Sequence, residues 1–245
     1  GQGRFHRPRR AASAQTASSA YTEGVLYGFS GFCAPPACTN GTNGTSPAAG
    51  LIADASGNLY GTTSEGGTGI NGGTVFQLTP NGDGGYSESV LYSFCTQGGT
   101  SCTDGEQPDA GLIEDAFGNL FGTTINGGAN YSSNCYEIGC GTVFRLAPNG
   151  DGSYSETVLY SFCAQGGTSC TDGANPLAGL IEDASGNFYG TTWQGGATIP
   201  YGDRTTTVGT VFKLTPNGDG SYSESVLYTF CSQAAARTAS GPMRA

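Results

Sequence analysis

Ala110-Gly111-Leu112-Ile113-Glu114-Asp115-Ala116-Phe117-Gly118-Asn119-Leu120-Phe121-Gly122-Thr123-Thr124, followed after a loop by Gly141-Thr142-Val143-Phe144, carries the reading of the whole chain. Close copies run from Ala49 to Thr63 and from Ala178 to Thr192, each followed by a Gly-Gly pair, a variable loop and Gly-Thr-Val-Phe (Gly73 to Phe76, Gly209 to Phe212). Every unit then continues through Pro-Asn-Gly-Asp-Gly into Val-Leu-Tyr-x-Phe, at Val90, Val158 and Val226. An additional Val-Leu-Tyr-x-Phe stands at Val25 to Phe29, so successive copies are 65, 68 and 68 residues apart. Self-similarity at a fixed period of this length marks a repeated structural module.

Within a module, short β-branched and aromatic runs are separated by clusters of Gly, Asn, Asp and Pro, the pattern of strands joined by turns. Four strands fit: Gly-Leu-Ile-Glu, Asn-Leu-Tyr-Gly-Thr-Thr, Thr-Val-Phe-x-Leu and Ser-Val-Leu-Tyr-x-Phe. Asp115 to Asn119 makes a tight connection between the first two, and Asn149-Gly150-Asp151-Gly152 one between the last two. Neighbours such as Val143 and Phe144, or Leu159 and Tyr160, must point to opposite faces, so both faces of the sheet need cover. Radially stacked blades supply it. The expected fold is therefore all-β, a β-propeller-like array of three four-stranded antiparallel blades forming an incomplete ring. A linear β-solenoid also buries both faces, but its coils are shorter.

The repeats occupy residues 21–231, as units of about 25–94, 90–162 and 158–230. Residues 1–20 form a basic tail expected to be disordered. Its Ala12-Ser13-Ala14 resembles a signal-peptidase site, but the apolar middle of a signal peptide is missing. Residues 232–245 depart from the repeat. Codons for Ala234 to Ala239 can be chosen so that a shifted frame spells Gly-Gly-Thr-Asn-Cys, which suggests the frameshifted end of a longer array. Further blades are then expected from a longer chain or from other chains.

The 245 residues include 43 Gly, 13 Tyr and 12 Phe, and the aromatic content argues against disorder of the repeats. All 19 acids lie between Tyr21 and Cys231, against only Arg145, Arg204 and Lys213. So acidic a surface repels phosphate backbones and anionic headgroups, which excludes nucleic acid and membrane contact by the repeats. Glycans, other surface proteins and cations remain acceptable partners.

Leu59-Tyr60-Gly61-Thr62-Thr63 and Gly209-Thr210-Val211-Phe212-Lys213-Leu214 resemble the unit of the GloVer tandem-repeat proteins of bacteria, whose members carry many copies and a choice of C-terminal surface anchors. The resemblance spans Val25 to Phe230. Phe121, Phe188, the Cys-bearing insert before Gly141 and the lack of a sorting signal depart from it. It implies export and surface association, and brings no catalytic residues.

Nine Cys follow the repeat: Cys33 with Cys38, Cys95 with Cys102, Cys163 with Cys170, and Cys135 with Cys140 around the insert. Local disulfides in an oxidising compartment explain this spacing, leaving Cys231 unpaired. Zinc requires clustered ligands, and no metal site is assigned. The only His is His6, in the tail, so no Ser-His-Asp or Cys-His nucleophile can form within the repeats. Glu114-Asp115 and Glu182-Asp183 invite a glycosidase reading, but strand neighbours diverge, and both pairs are repeat copies. Asn81-Gly82-Asp83-Gly84 superficially resembles a calcium loop yet offers too few carboxylates; calcium, the one cofactor considered, would need several loops to converge.

Trp193, the only Trp, with Tyr201 nearby, suggests sugar stacking, against packing between blades. Asn40, Asn43 and Asn130 begin Asn-x-Ser/Thr triplets, a weak glycosylation signal in a bacterial protein. The leading function is an exported, non-enzymatic scaffold or glycan- or protein-binding module at the cell surface. The alternatives are a propeller-type carbohydrate-active enzyme and a surface-layer or filament subunit.

Overall fold

The computed structural model describes residues 23–29, 42–68, 70–133, 135, 138–201 and 204–231. They hold strands and two short 3₁₀ turns, Gly99–Ser101 and Gly167–Ser169, but no α-helix. The first sheet comprises β1 (Ile52–Ala53), β2 (Leu59–Thr63), β3 (Thr74–Pro80) and β4 (Tyr86–Ser93). The second comprises β5 (Ile113–Glu114), β6 (Leu120–Thr124), β7 (Thr142–Pro148) and β8 (Tyr154–Ser161). In the third, β9 (Ile181–Glu182) and β10 (Phe188–Thr192) are followed by a separate hairpin of β11 (Thr198–Tyr201) and β12 (Arg204–Thr207). Strands β13 (Thr210–Pro216) and β14 (Tyr222–Thr229) complete that sheet. Each of the three blades is an antiparallel four-stranded sheet, the third with the hairpin inserted between its second and third strands, so the architecture is the expected all-β, incomplete propeller-like array.

Local chemistry explains the common register. Asp54, Asp115 and Asp183 each accept backbone N–H bonds from residues two and four further on, closing the first turn of their blade. Thr63 and Thr74, Thr124 and Thr142, and Thr192 and Thr210 pair hydroxyl to hydroxyl at 2.8 Å, locking the second strand to the third. A bulge follows at the Val-Phe step of every third strand.

The Val-Phe and Leu-Ile pairs split between two faces. Blade 1 turns Ile52, Tyr60, Val75, Leu91, Tyr92 and Phe94 toward blade 2, which answers with Leu112, Leu120, Phe144, Leu146 and Tyr154. Blade 2 presents the corresponding Phe121, Val143, Leu159 and Phe162 to Leu180, Phe188, Phe212 and Leu214 of blade 3. An edge-to-face aromatic pair centres each junction: Phe94 with Phe144 at 4.9 Å and Phe162 with Phe212 at 5.0 Å. Phe29, from the additional Val-Leu-Tyr-x-Phe, meets Phe76 in the same way at 4.9 Å. Residues 25–29 therefore stand to blade 1 as a preceding fourth strand would.

Gly122 shows why a glycine follows the aromatic of the second strand. A Cβ there would come within 2.7 Å of Phe144 Cζ and 3.0 Å of Leu112 Cδ2, displacing the ring that reaches across the junction.

Phe144 is fully buried at a junction, whereas Phe117 sits exposed in a turn. Phe144→Ala should lower the stability measured by urea unfolding by about 3–5 kcal/mol. Phe117→Ala should change it by no more than about 0.5 kcal/mol.

Candidate functional site

Among the carboxylates suggested by the sequence, the aspartates are engaged in turns. Asp115 accepts bonds from Phe117 N, Asn119 N and Asn119 Nδ2, while its neighbour Glu114 is exposed. Asp183 is held below the usual carboxylate range by the Asn187 side chain first, then by backbone bonds and Tyr189. Asp151 and Asp219 each accept two bonds from the following Ser, at 2.9 and 2.6 Å, which stitches the Asn-Gly-Asp-Gly hairpin. Asn130 donates to the carbonyls of Ser161 and Phe162, so its amide serves the blade edge.

A second set of acids was hidden from sequence reasoning. Asp104 and Asp172, in the loops between blades, are almost wholly buried. Asp104 accepts from Tyr92 Oη at 2.9 Å, from Thr96 N and Oγ1, and from Gln97 N. Asp172 accepts from Tyr160 Oη at 2.7 Å, from Ala164 N and from Gln165 N. Glu156 and Glu224 on the next blade's fourth strand face these aspartates. Burial first, and then the Asp104 carboxylate, pushes Glu156 up to about 8. Burial and Asp172 push Glu224 up to about 7. One oxygen of each glutamate is buried without a hydrogen-bond partner. The two arrangements are copies of one motif, so no pair among the described residues stands out as an acid and base.

Disulfides join Cys95 to Cys102, Cys135 to Cys140 and Cys163 to Cys170, and Cys231 is an exposed free thiol. Cys33 and Cys38 lie outside the described residues, as do Asn40 and residues 1–22 and 232–245, including the segment read as frameshifted. Three disulfides point to an oxidising environment. Among the described residues no helix is long and apolar enough to cross a membrane.

Trp193 and Tyr201 are not brought together by any described contact. Tyr201 ends β11 in the separate hairpin, and its side chain lies outside the described set. Trp193, 56% exposed, lines a groove of about 350 Å³ with Leu177, Ala178, Thr191, Thr192, Val208 and Phe230. This groove lies on the face of blade 3 equivalent to the buried face of blades 1 and 2. Leu227 is 53% exposed where Leu159 is 8%, and Phe230 is 43% exposed where Phe94 and Phe162 are 0%.

A family model described as the Gloeobacter/Verrucomicrobia repeat matches residues 11–245. The chain belongs to that family. The match agrees with the resemblance carried by Leu59 to Thr63 and Gly209 to Leu214. No curated protein matches the chain. In this Gloeobacter/Verrucomicrobia repeat protein, the features common to all units are junction and turn residues, and the features that vary are loops and the position after the second Thr of the second strand, Ser64, Ile125 or Trp193.

The raised glutamates make stability depend on pH. A carboxyl group whose value is higher in the folded state stabilises the fold while it keeps its proton. Glu156 contributes fully below its ordinary value of 4.5 and loses that contribution as pH rises through about 8. Glu156→Gln should therefore raise the urea midpoint at pH 8, flatten the decline between pH 5 and 8, and leave little difference near pH 4.

Proposed function

We propose that the chain is a scaffold segment of an exported, surface-associated protein, built by adding blades to a directional stack. The exposed face of blade 3 carries this reading, because its Thr191, Leu227 and Phe230 repeat the Thr, Leu and Phe positions of the face that blades 1 and 2 turn toward their neighbours. Its counterparts Thr62 and Thr123 donate to the carbonyls of Ala110 and Ala178 in the following blade, at 3.0 and 3.2 Å. Thr191, in the same place, is exposed.

The groove beside Trp193 suits another blade better than a sugar. Its lining is aliphatic and aromatic apart from two threonines, and the hydroxyl of Thr192 is already held by Gln194 O and Thr210. A sugar would leave most of its hydroxyls without partners there, at a cost of about 1–3 kcal/mol for each one buried unpaired. A blade offers leucine and phenylalanine, as blades 2 and 3 do. Disulfides and an acidic repeat surface support an extracellular place of work.

The test extends the chain after Cys231 with a further copy of residues 96–163, which contains no Trp, so that Trp193 remains the only reporter. Its fluorescence should shift to shorter wavelength, quenching by acrylamide should fall several-fold, and the unfolding midpoint should rise. Trp193 staying as accessible as before would defeat the reading.

A further inference from the structure

The sulfur atoms of Cys135, Cys140, Cys163 and Cys170 all lie within 4.8 Å of one another, and each cysteine is buried. Two neighbouring disulfides thus form one cluster of four sulfurs. The cause is a single position. Cys140 stands where blade 1 has Gly72 and blade 3 has Val208, directly before the Gly-Thr-Val-Phe of the third strand. A Cβ on Gly72 would lie 2.6 Å from Cys95 Cβ, which marks how closely this position approaches the repeat's own disulfide. In blade 2 a sulfur occupies that place, and Cys135 arrives with the insert.

The backbone holds the four positions by contacts other than the disulfides. Cys135 N donates to Ser132 O, and Ser132 Oγ donates to Thr168 O, tying the insert to the 3₁₀ turn between Cys163 and Cys170. Cys163 N donates to Gly173 O, Cys170 N to Gly167 O, and Asn175 N to Cys140 O. Asn130 clamps the start of the insert to Ser161 and Phe162. A tetrahedral zinc ion with four thiolates at about 2.3 Å places the sulfurs about 3.8 Å apart. The separations between the two pairs reach at most 4.8 Å, about 1 Å beyond that spacing, and the two sulfurs within each pair are free to move apart once their bond is reduced.

We propose that, in the reduced chain, Cys135, Cys140, Cys163 and Cys170 form a binding site for one zinc-class divalent metal ion. Binding converts four thiols and M²⁺ into a tetrathiolate of charge −2 and releases four protons. Oxidation by a disulfide-bearing oxidant removes two electrons for each bond formed, reduces the oxidant to thiols and returns the ion to solution. The same four sulfurs then serve either as a metal site or as the two disulfides described above, according to redox state. Among the described residues Cys95 and Cys102, facing Gly72, have no second cysteine pair beside them and take no part.

The test reduces the full chain with a phosphine, which takes oxygen from water and leaves two thiols per disulfide, and titrates it anaerobically with Co²⁺. The expected result is one ion per chain, the visible bands of tetrahedral cobalt thiolate, four protons released per ion, and displacement by Zn²⁺. Cys140→Val, which installs the residue type of position 208, should abolish the tetrathiolate spectrum and weaken binding by more than about 100-fold, beyond the usual effect of an outer-shell change. Changing Cys95 and Cys102 together to Ser should alter neither stoichiometry nor spectrum. A reduced wild-type chain that takes up no cobalt, or a Cys140→Val chain with an unchanged spectrum, overturns the proposal.

Discussion

A sheet of four strands with large apolar side chains on both faces cannot be stable alone in water, and everything else in this molecule follows from how it is covered. The cover is another copy of itself. Phe94 against Phe144 and Phe162 against Phe212 repeat the same edge-to-face contact, with the Phe144 and Phe212 rings seated over Gly122 and Gly190 of their own blades. Stability in such an array is approximately a sum of module and nearest-neighbour terms, and here the buried apolar residues gather in clusters that span neighbouring blades. The threonine pairs and aspartate turns keep each sheet in register, so that the faces presented to the neighbours stay the same.

Much of this was legible in the residues because the period-2 alternation of a strand is short and the repeat prints it three times. Val143 beside Phe144 already required two covered faces, and Asp115 to Asn119 already read as a turn. The hairpin of β11 and β12 was not legible, since Thr198 to Thr207 is threonine-rich, contains Pro200 and shows no apolar alternation. The meeting of Glu156 with Asp104 was equally hidden: it depends on how one blade sits on the next, and the two residues are remote in the chain. Cysteine spacing pointed to pairs of near neighbours, but not to the packing of one pair against another.

The three copies also show where the design tolerates change. Junction positions keep their character, with Phe76, Phe144 and Phe212 interchangeable in place and role. Position 72, with its counterparts 140 and 208, holds glycine, cysteine and valine, and the loop before it ranges from short to disulfide-bearing to a separate hairpin. New chemistry therefore enters at the blade edge, where a loop can lengthen without disturbing the apolar faces.

Because every junction joins the leading face of one blade to the trailing face of the one before, the contact is heterologous and has direction. Synthesis proceeds in that same direction. A ribosome making such a protein completes each sheet beside a neighbour already folded, so the finished portion is a template for the emerging one. At any moment the face of the newest blade is the one still waiting for its cover. The hazard of misassembly is then that of one unfinished edge, however many modules the gene encodes.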